Sequence, residues 1–162
     1  MLRIERLDPQ VHNREDFDCG EASLNNYLRQ LAGQHLRDGI ATTQILIDGQ
    51  APDRIIGFYT LAAAQVALDE MQAADRRRLP RYPVPAARLA RLGVARAEQG
   101  RGLGAMLLQD AVKRCLALRA DVGVRVLVVD ALGAGAAAFY RLYGFRNTAA
   151  SALTLYLPLG KV

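Results

Sequence analysis

The chain has 162 residues, 51% of them hydrophobic, and a formal charge of +5, which suits one domain of ordinary size with a real buried core. No run of about 18 apolar residues occurs, so a membrane-spanning helix is excluded. Two cysteines, Cys19 and Cys115, are too few for a disulfide framework, and the charged first ten residues hold no apolar leader, so the expectation is a reduced, cytoplasmic protein.

Residues 2–7 alternate apolar and charged and predict a first strand. Residues 18–20 read as a helix start, followed by Leu24, Tyr27, Leu28 and Leu31 at helical spacing. The β-branched run 42–47 predicts a strand, and turn chemistry at 49–53 with a strand over 54–61 completes a hairpin. Polar residues 70–78 admit a short helix. Three prolines in 79–85 forbid a helix interior or a central strand and predict an extended loop. Residues 87–94 predict the next strand. Over 102–118 a long helix is expected, with Leu103, Leu107, Leu108, Ala111, Val112, Cys115 and Leu118 on one apolar stripe. Residues 122–129 are almost wholly apolar, as in a strand buried on both faces. A helix over 134–143 ends near Gly144, and residues 153–157 form a last strand. This order predicts an α/β fold, a mixed sheet with flanking helices in one domain spanning residues 1–162.

Charge is placed unevenly. Residues 76–101 hold eight arginines, no lysine and one acid, Glu98, a net +7 that leaves −2 for the rest of the chain. Arginine suits forked contact with phosphate, so a polyanion surface is one reading, and a solvated rim is the other.

Gly100, Gly102 and Gly104 follow a predicted strand and open the long helix. Glycine lets a backbone approach a ligand closely, and the unpaired N–H groups and dipole of a helix start attract anions. Arg96 and Arg101 flank the turn. Without Gly-Lys-Ser/Thr the turn is not a Walker loop. Gly100-x-Gly102-x-x-Ala105 does satisfy the loose dinucleotide pattern, which wants an acid about 20 residues on, after the next strand. Asp121 precedes that strand, and Asp130 ends it but lies farther away. A glycine turn with no ligand is the remaining alternative.

Gln99-x-x-Gly102-x-Gly104 resembles the Q/R-x-x-G-x-G/A motif of the GNAT N-acetyltransferases. The likeness extends to the strand before the turn, to Val128-Val129-Asp130-Ala131, and to Phe139-Tyr140-x-x-Tyr143-Gly144-Phe145. It implies a GNAT fold with a splayed, bulged strand at an acetyl-CoA site. Coenzyme A would then lie on Leu92, Gly93, Val94, Arg96, Gln99, Gly100, Arg101, Gly102, Leu103, Gly104, Asp130, Phe139 and Tyr143. A glycine at Gly93 also suits a bulge on its own merits.

Phe17-Asp18-Cys19-Gly20, Leu24-Asn25-x-Tyr27-Leu28, Gly57-Phe58-Tyr59-Thr60-Leu61, Leu79-Pro80-Arg81-Tyr82-Pro83-Val84-Pro85 and Arg88-Leu89-Ala90-Arg91-Leu92 are similar to segments of the GNAT toxins of toxin–antitoxin pairs. That resemblance implies acetylation of the α-amino group of aminoacyl-tRNA, a block on translation, a ribbon-helix-helix antitoxin and a homodimer. Arg76, Arg77, Arg78, Arg81 and Arg88 would then grip tRNA phosphates. A housekeeping GNAT enzyme acting on a small amine or a protein N-terminus is the alternative.

By the same likeness Tyr140 is the general acid that protonates the departing sulfur, and the N–H near Val94 steadies the oxyanion. A packed core aromatic is the other reading of Tyr140, as for Phe139 and Phe145. Tyr143 packs on the pantetheine arm. No general base or metal site is expected: His12 and His35 stand outside any motif, and Glu98 reads as a solvated acid. An α-amine, titrating near ~8 rather than the ~10.4 of lysine, needs little help from a base.

Overall fold

The computed structural model describes residues 1–160. Its strands are β1 (Leu2–Arg6), β2 (Thr42–Asp48), β3 (Gly57–Val66), β4 (Val84–Val94), β5 (Val126–Asp130), β6 (Arg146–Asn147) and β7 (Thr154–Pro158). They form a mixed sheet in the order β1-β2-β3-β4-β5-β7-β6. Its helices are α1 (Ala22–Asn26), α2 (Ala32–Arg37), α3 (Ala73–Arg76), α4 (Leu103–Leu118) and α5 (Ala134–Leu142). The chain divides into two compact units, Met1–Ala62 with Ala90–Ala111, and Ala63–Leu89 with Val112–Val162.

In the first unit β1 and β2 are antiparallel, Leu2 facing Asp48 and Arg6 facing Gln44. β2 then pairs with the start of β3, from Thr42 opposite Leu61 to Leu46 opposite Gly57. Leu28, Ile45, Ile47 and Phe58 are wholly buried in its core, and Phe17 meets Phe58 edge-on at 5.5 Å. Between α1 and α2 the helix widens into a π turn, Tyr27–Leu31. The extra residue turns the following positions out of phase, so Leu31, expected on the apolar stripe, is exposed.

In the second unit β4 runs parallel to β5, Ala86 opposite Val126 and Leu89 opposite Val129. β7 pairs antiparallel with both β5 and β6. Val66, Met71, Val84, Val126, Val128 and Tyr156 form its core.

Boundaries moved where local bonds outweigh pattern. Turn bonds from Ala51 N to Asp48 O and from Arg54 N to Ala51 O delay β3 to Gly57. Amides of Asp121 and Val122 close on Leu118 O, so the end of α4 uses residues expected in β5, and Leu118 and Val122 are exposed. Pro85, placed by sequence in a loop, lies in β4, at its second position and ahead of the register with β5, where a missing N–H costs least.

Candidate active site

β4 continues past its last pairing with β5, at Leu89, through Leu92, Gly93 and Val94. Two glycines bring its end close to β3. A methyl group at Gly57 would stand 3.0 Å from both Gly93 O and Leu107 Cδ1, and one at Gly93 would stand 3.3 Å from Cys19 Sγ and 3.4 Å from Phe58 Cε1. Gly93 has no positive φ, so glycine serves it by its small size.

After the strand the backbone is pinned. Ala95 N donates to Ile56 O and Arg96 N to Asp18 O, each at 2.8 Å. The Gln99 side chain donates from Nε2 to Cys19 O and Val94 O, both at 2.9 Å. It therefore clasps the 18–20 loop to the end of β4, and its amide is engaged by protein. The turn itself is open: Gly100 and Gly102 have φ of +83° and +76°, and a methyl group at either would meet nothing within 4 Å. Left-handed backbone requires glycine there, and the space beside it is open. Leu103 is buried and anchors α4, and Gly104 follows in its first turn. Met106 N bonds back to Gly102 O at 3.2 Å, while the first-turn amides before it have no acceptor within the helix. Open space, left-handed glycines and unpaired amides at a positive helix end fit a diphosphate.

Acids hold the flanking arginines. Arg96 pairs with Asp18 at 3.6 Å, while Arg101 and Arg54 both meet Glu98, the latter at 3.1 Å. Glu98 is thus a partly covered hub of two ion pairs, where sequence suggested a solvated acid. N–H donation from Gly20, then Asn25 and the Arg96 charge, hold the Asp18 carboxyl below its usual range.

In the second unit Tyr140 is buried on α5, its ring 5.2 Å from Phe139 and 5.3 Å from Phe145. Burial pushes its phenol up to about 12. Tyr27, Tyr59 and Tyr156 are also buried, and their hydroxyls bond His35, Asp110 and Asp75. Among the described residues the Tyr140 hydroxyl has no partner, so its proton is uncommitted. Tyr143 is exposed and leans on Phe139 at 5.2 Å. Asp130 pairs with Arg88 and accepts from Thr154 Oγ1 at 3.0 Å, so these two expected ligand residues hold each other. Arg76, Arg77, Arg78 and Arg81 are exposed and make no ion pair or side-chain hydrogen bond among the described residues.

The Acetyltransferase (GNAT) family model matches residues 7–145. This chain belongs to the GNAT acetyltransferases. The GNAT chain is 41% identical over 142 residues to a tRNA-acetylating toxin of Mycobacterium tuberculosis, covering 87% of this chain and 82% of the relative. It is similar to AtaT complexed with acetyl-methionyl-tRNAfMet, with a TM-score of 0.91 and 28% identity over 98% of this chain and 95% of that one. A tyrosine-to-phenylalanine mutant of the AtaT toxin, bound to the C-terminus of antitoxin AtaR and acetyl-CoA, matches with a TM-score of 0.82 and 29% identity, covering 97% and 92%.

Both histidines of the GNAT chain do structural work. His12 is buried, accepts from Asp8 N and bonds Glu5 Oε1, each at 2.9 Å, while His35 bonds Tyr27. No metal-ligating cluster occurs among the described residues, and no helix of theirs is long and apolar enough to cross a membrane. Sequence reasoning missed two features around the basic segment. Asp75 on α3 accepts from Tyr156 and from Arg146, while Gln72 N donates to Tyr156 Oη at 2.9 Å. Exposed Tyr82 also stands among the unpaired arginines. Asp75 and Tyr156 lie 81 residues apart, so no spacing rule joins them.

Proposed function

We propose that this GNAT chain is a toxin that moves the acetyl group of acetyl-CoA to the α-amino group of aminoacyl-tRNA and so stops translation. A ribbon-helix-helix antitoxin restrains it, and it acts in the cytoplasm as a homodimer. The observation that carries the reading is the 41% identity, across 87% of the chain, to a tRNA-acetylating toxin. Four arginines without acid partners among the described residues add to it, since a surface that leaves cations unneutralised suits a polyanion.

The glycine turn at residues 99–104 holds the diphosphate of acetyl-CoA on the amides of α4, with Arg96 and Arg101 beside it. Leu92, Gly93 and Val94 carry the thioester arm, and the Val94 N–H meets the developing oxyanion. The amine nitrogen bonds to the carbonyl carbon, the C–S bond breaks, and the electron pair leaves on sulfur. Tyr140 gives that sulfur a proton, the proton shed by the new amide's nitrogen passes to water, and water returns a proton to the Tyr140 phenolate. The phenol is a weaker acid than a free thiol, but the desolvation that raises it also makes a thiolate beside it more basic. The reading assigns no general base, so the substrate supplies its own neutral amine, which an α-amine does near neutral pH.

Radiolabelled acetyl-CoA incubated with charged tRNAs, free amino acids and peptides tests the reading. Label is expected on aminoacyl-tRNA. Label on small amines or peptides, with none on tRNA, overturns it. Tyr140→Phe should lower kcat by roughly 10²- to 10⁴-fold. It should keep acetyl-CoA affinity and stability, because the lost hydroxyl bonds nothing among the described residues, and it should relieve growth arrest on expression.

A further inference from the structure

Between the 3₁₀ turn Leu68–Glu70 and the basic segment lies a hollow of about 450 Å³, within the size range of sites for drug-sized ligands. Ala67, Leu68 and Pro83 give it apolar lining, Tyr82 an aromatic ring, Arg76 and Arg81 two cations, and Asp69 a single acid. Tyr82 is 71% exposed, so its ring face is unspent on the core. Elsewhere the arginines near the glycine turn and on β4 meet partners: Arg96, Arg101 and Arg88 meet acids, and Arg91 lies 4.5 Å over the Tyr27 ring. Arg76 and Arg81 meet none among the described residues.

We propose that this hollow is a stacking site for one unpaired nucleotide at the 3′ end of the tRNA substrate. The inference rests on the aminoacyl-tRNA reading and adds to it a site and a mode of contact. A duplex offers its phosphates outward and hides its base faces, whereas an unpaired nucleotide presents both together. The hollow matches that combination. Tyr82 takes the base face, Pro83 and Leu68 cover its edge, and Arg76 and Arg81 take the adjoining phosphates. Asp69 accepts from an exocyclic amine or a ribose hydroxyl. A purely electrostatic patch would need neither the ring nor the apolar lining.

The segment is also held in place. The α3 turn that precedes it is fixed through Asp75, which accepts from buried Tyr156 and pairs with Arg146. Ala149 N adds a bond to Glu70 O at 2.9 Å. An anchored platform loses less entropy on binding than a free loop.

Coenzyme A carries a nucleotide too, so the test separates the two sources. The probe is an RNA stem-loop copying the tRNA acceptor end, with 2-aminopurine substituted at each unpaired 3′ position in turn. Its fluorescence is titrated with the full-length protein, with and without saturating acetyl-CoA. Quenching is expected at one position and should persist with acetyl-CoA. Tyr82→Ala should abolish that quenching and weaken stem-loop binding roughly 5- to 100-fold, while Tyr82→Phe restores both. Arg76→Ala and Arg81→Ala should each reduce the salt dependence of binding by about one unit of slope, which Tyr82→Ala leaves alone. Quenching at no position, or stem-loop binding unchanged in Tyr82→Ala, overturns the proposal. So does quenching that acetyl-CoA displaces, with the Tyr82→Ala loss falling on acetyl-CoA, because the nucleotide held would then be the coenzyme's. Acetylation of charged tRNA by wild-type protein is assayed beside it, so the stacking site can fail while the activity stands.

Discussion

Glycines on the two sides of the turn are there for different reasons, and substitution separates them. At Gly57 a methyl group would press on the Gly93 carbonyl and Leu107 at 3.0 Å, and neither backbone nor core yields easily. Gly57→Ala should cost about 1–3 kcal/mol, read as a lower urea midpoint. At Gly102 a methyl group meets nothing, and only the left-handed backbone resists it, at about 1 kcal/mol. The new methyl would, however, occupy the space proposed for phosphate. Gly102→Ala should therefore weaken acetyl-CoA binding tenfold or more by calorimetric titration, out of proportion to its small loss of stability. Equal affinity for acetyl-CoA in the variant would remove the turn from the cofactor site. The alternating glycines at 100–104 are legible in a sequence because the requirement is local. The need at Gly57 is not, because the atoms that enforce it belong to β4 and α4.

At the scale of elements, what positions the turn is the Gln99 clasp. Gln99→Leu keeps the volume and strips donors from two carbonyls, Cys19 O and Val94 O. A loss of about 1–2 kcal/mol is expected in thermal unfolding. Acetyl-CoA affinity should fall with it, since the 18–20 loop and the end of β4 would no longer be tied to the turn. A variant with wild-type melting would show the clasp to be ornamental. The resemblance assigns Gln99 to the cofactor, whereas the structure gives its amide to two carbonyls of the fold. Sequence pattern locates most elements, since β1, β2, α4 and α5 follow its periodicity within a residue or two. It fails where local turn bonds override the pattern or where an element is very short. Turn bonds decide where β3 begins, the close of α4 decides where β5 begins, and β6 is two residues without any pattern.

Among the described residues the phenols of Tyr27, Tyr140 and Tyr156 and the thiols of Cys19 and Cys115 hold their protons more tightly folded than unfolded. Burial raises Tyr140 and Tyr156 from 10.0 to about 12, and Cys115 from 9.0 to about 11. The folded state favours the protonated forms, so this contribution is complete below about pH 9 and is lost as pH climbs towards 12. Urea midpoints measured from pH 7 to 12 should be level at first and then fall steeply. A flat profile through pH 11 would show these groups to be ordinary. Tyr140 stays protonated across the working range, so the acid side of a pH–rate curve belongs to the substrate amine. The α/β order and the basic segment were legible at this scale, since both are sums along the chain. Which arginines are neutralised was not, because Asp18 and Asp130 reach theirs through the fold, as Glu98 reaches Arg54; only the Glu98–Arg101 pair is local.

Cys19 gives the site a quieter property. Its sulfur packs against Gly93, on the strand proposed to carry the thioester, and burial raises its thiol above the ordinary value. A thiol that keeps its proton is a poor nucleophile, so a potential trap for the acetyl group is silenced beside its path. In the proposed transfer the acetyl group then passes directly to the incoming amine, with no acyl-cysteine stage.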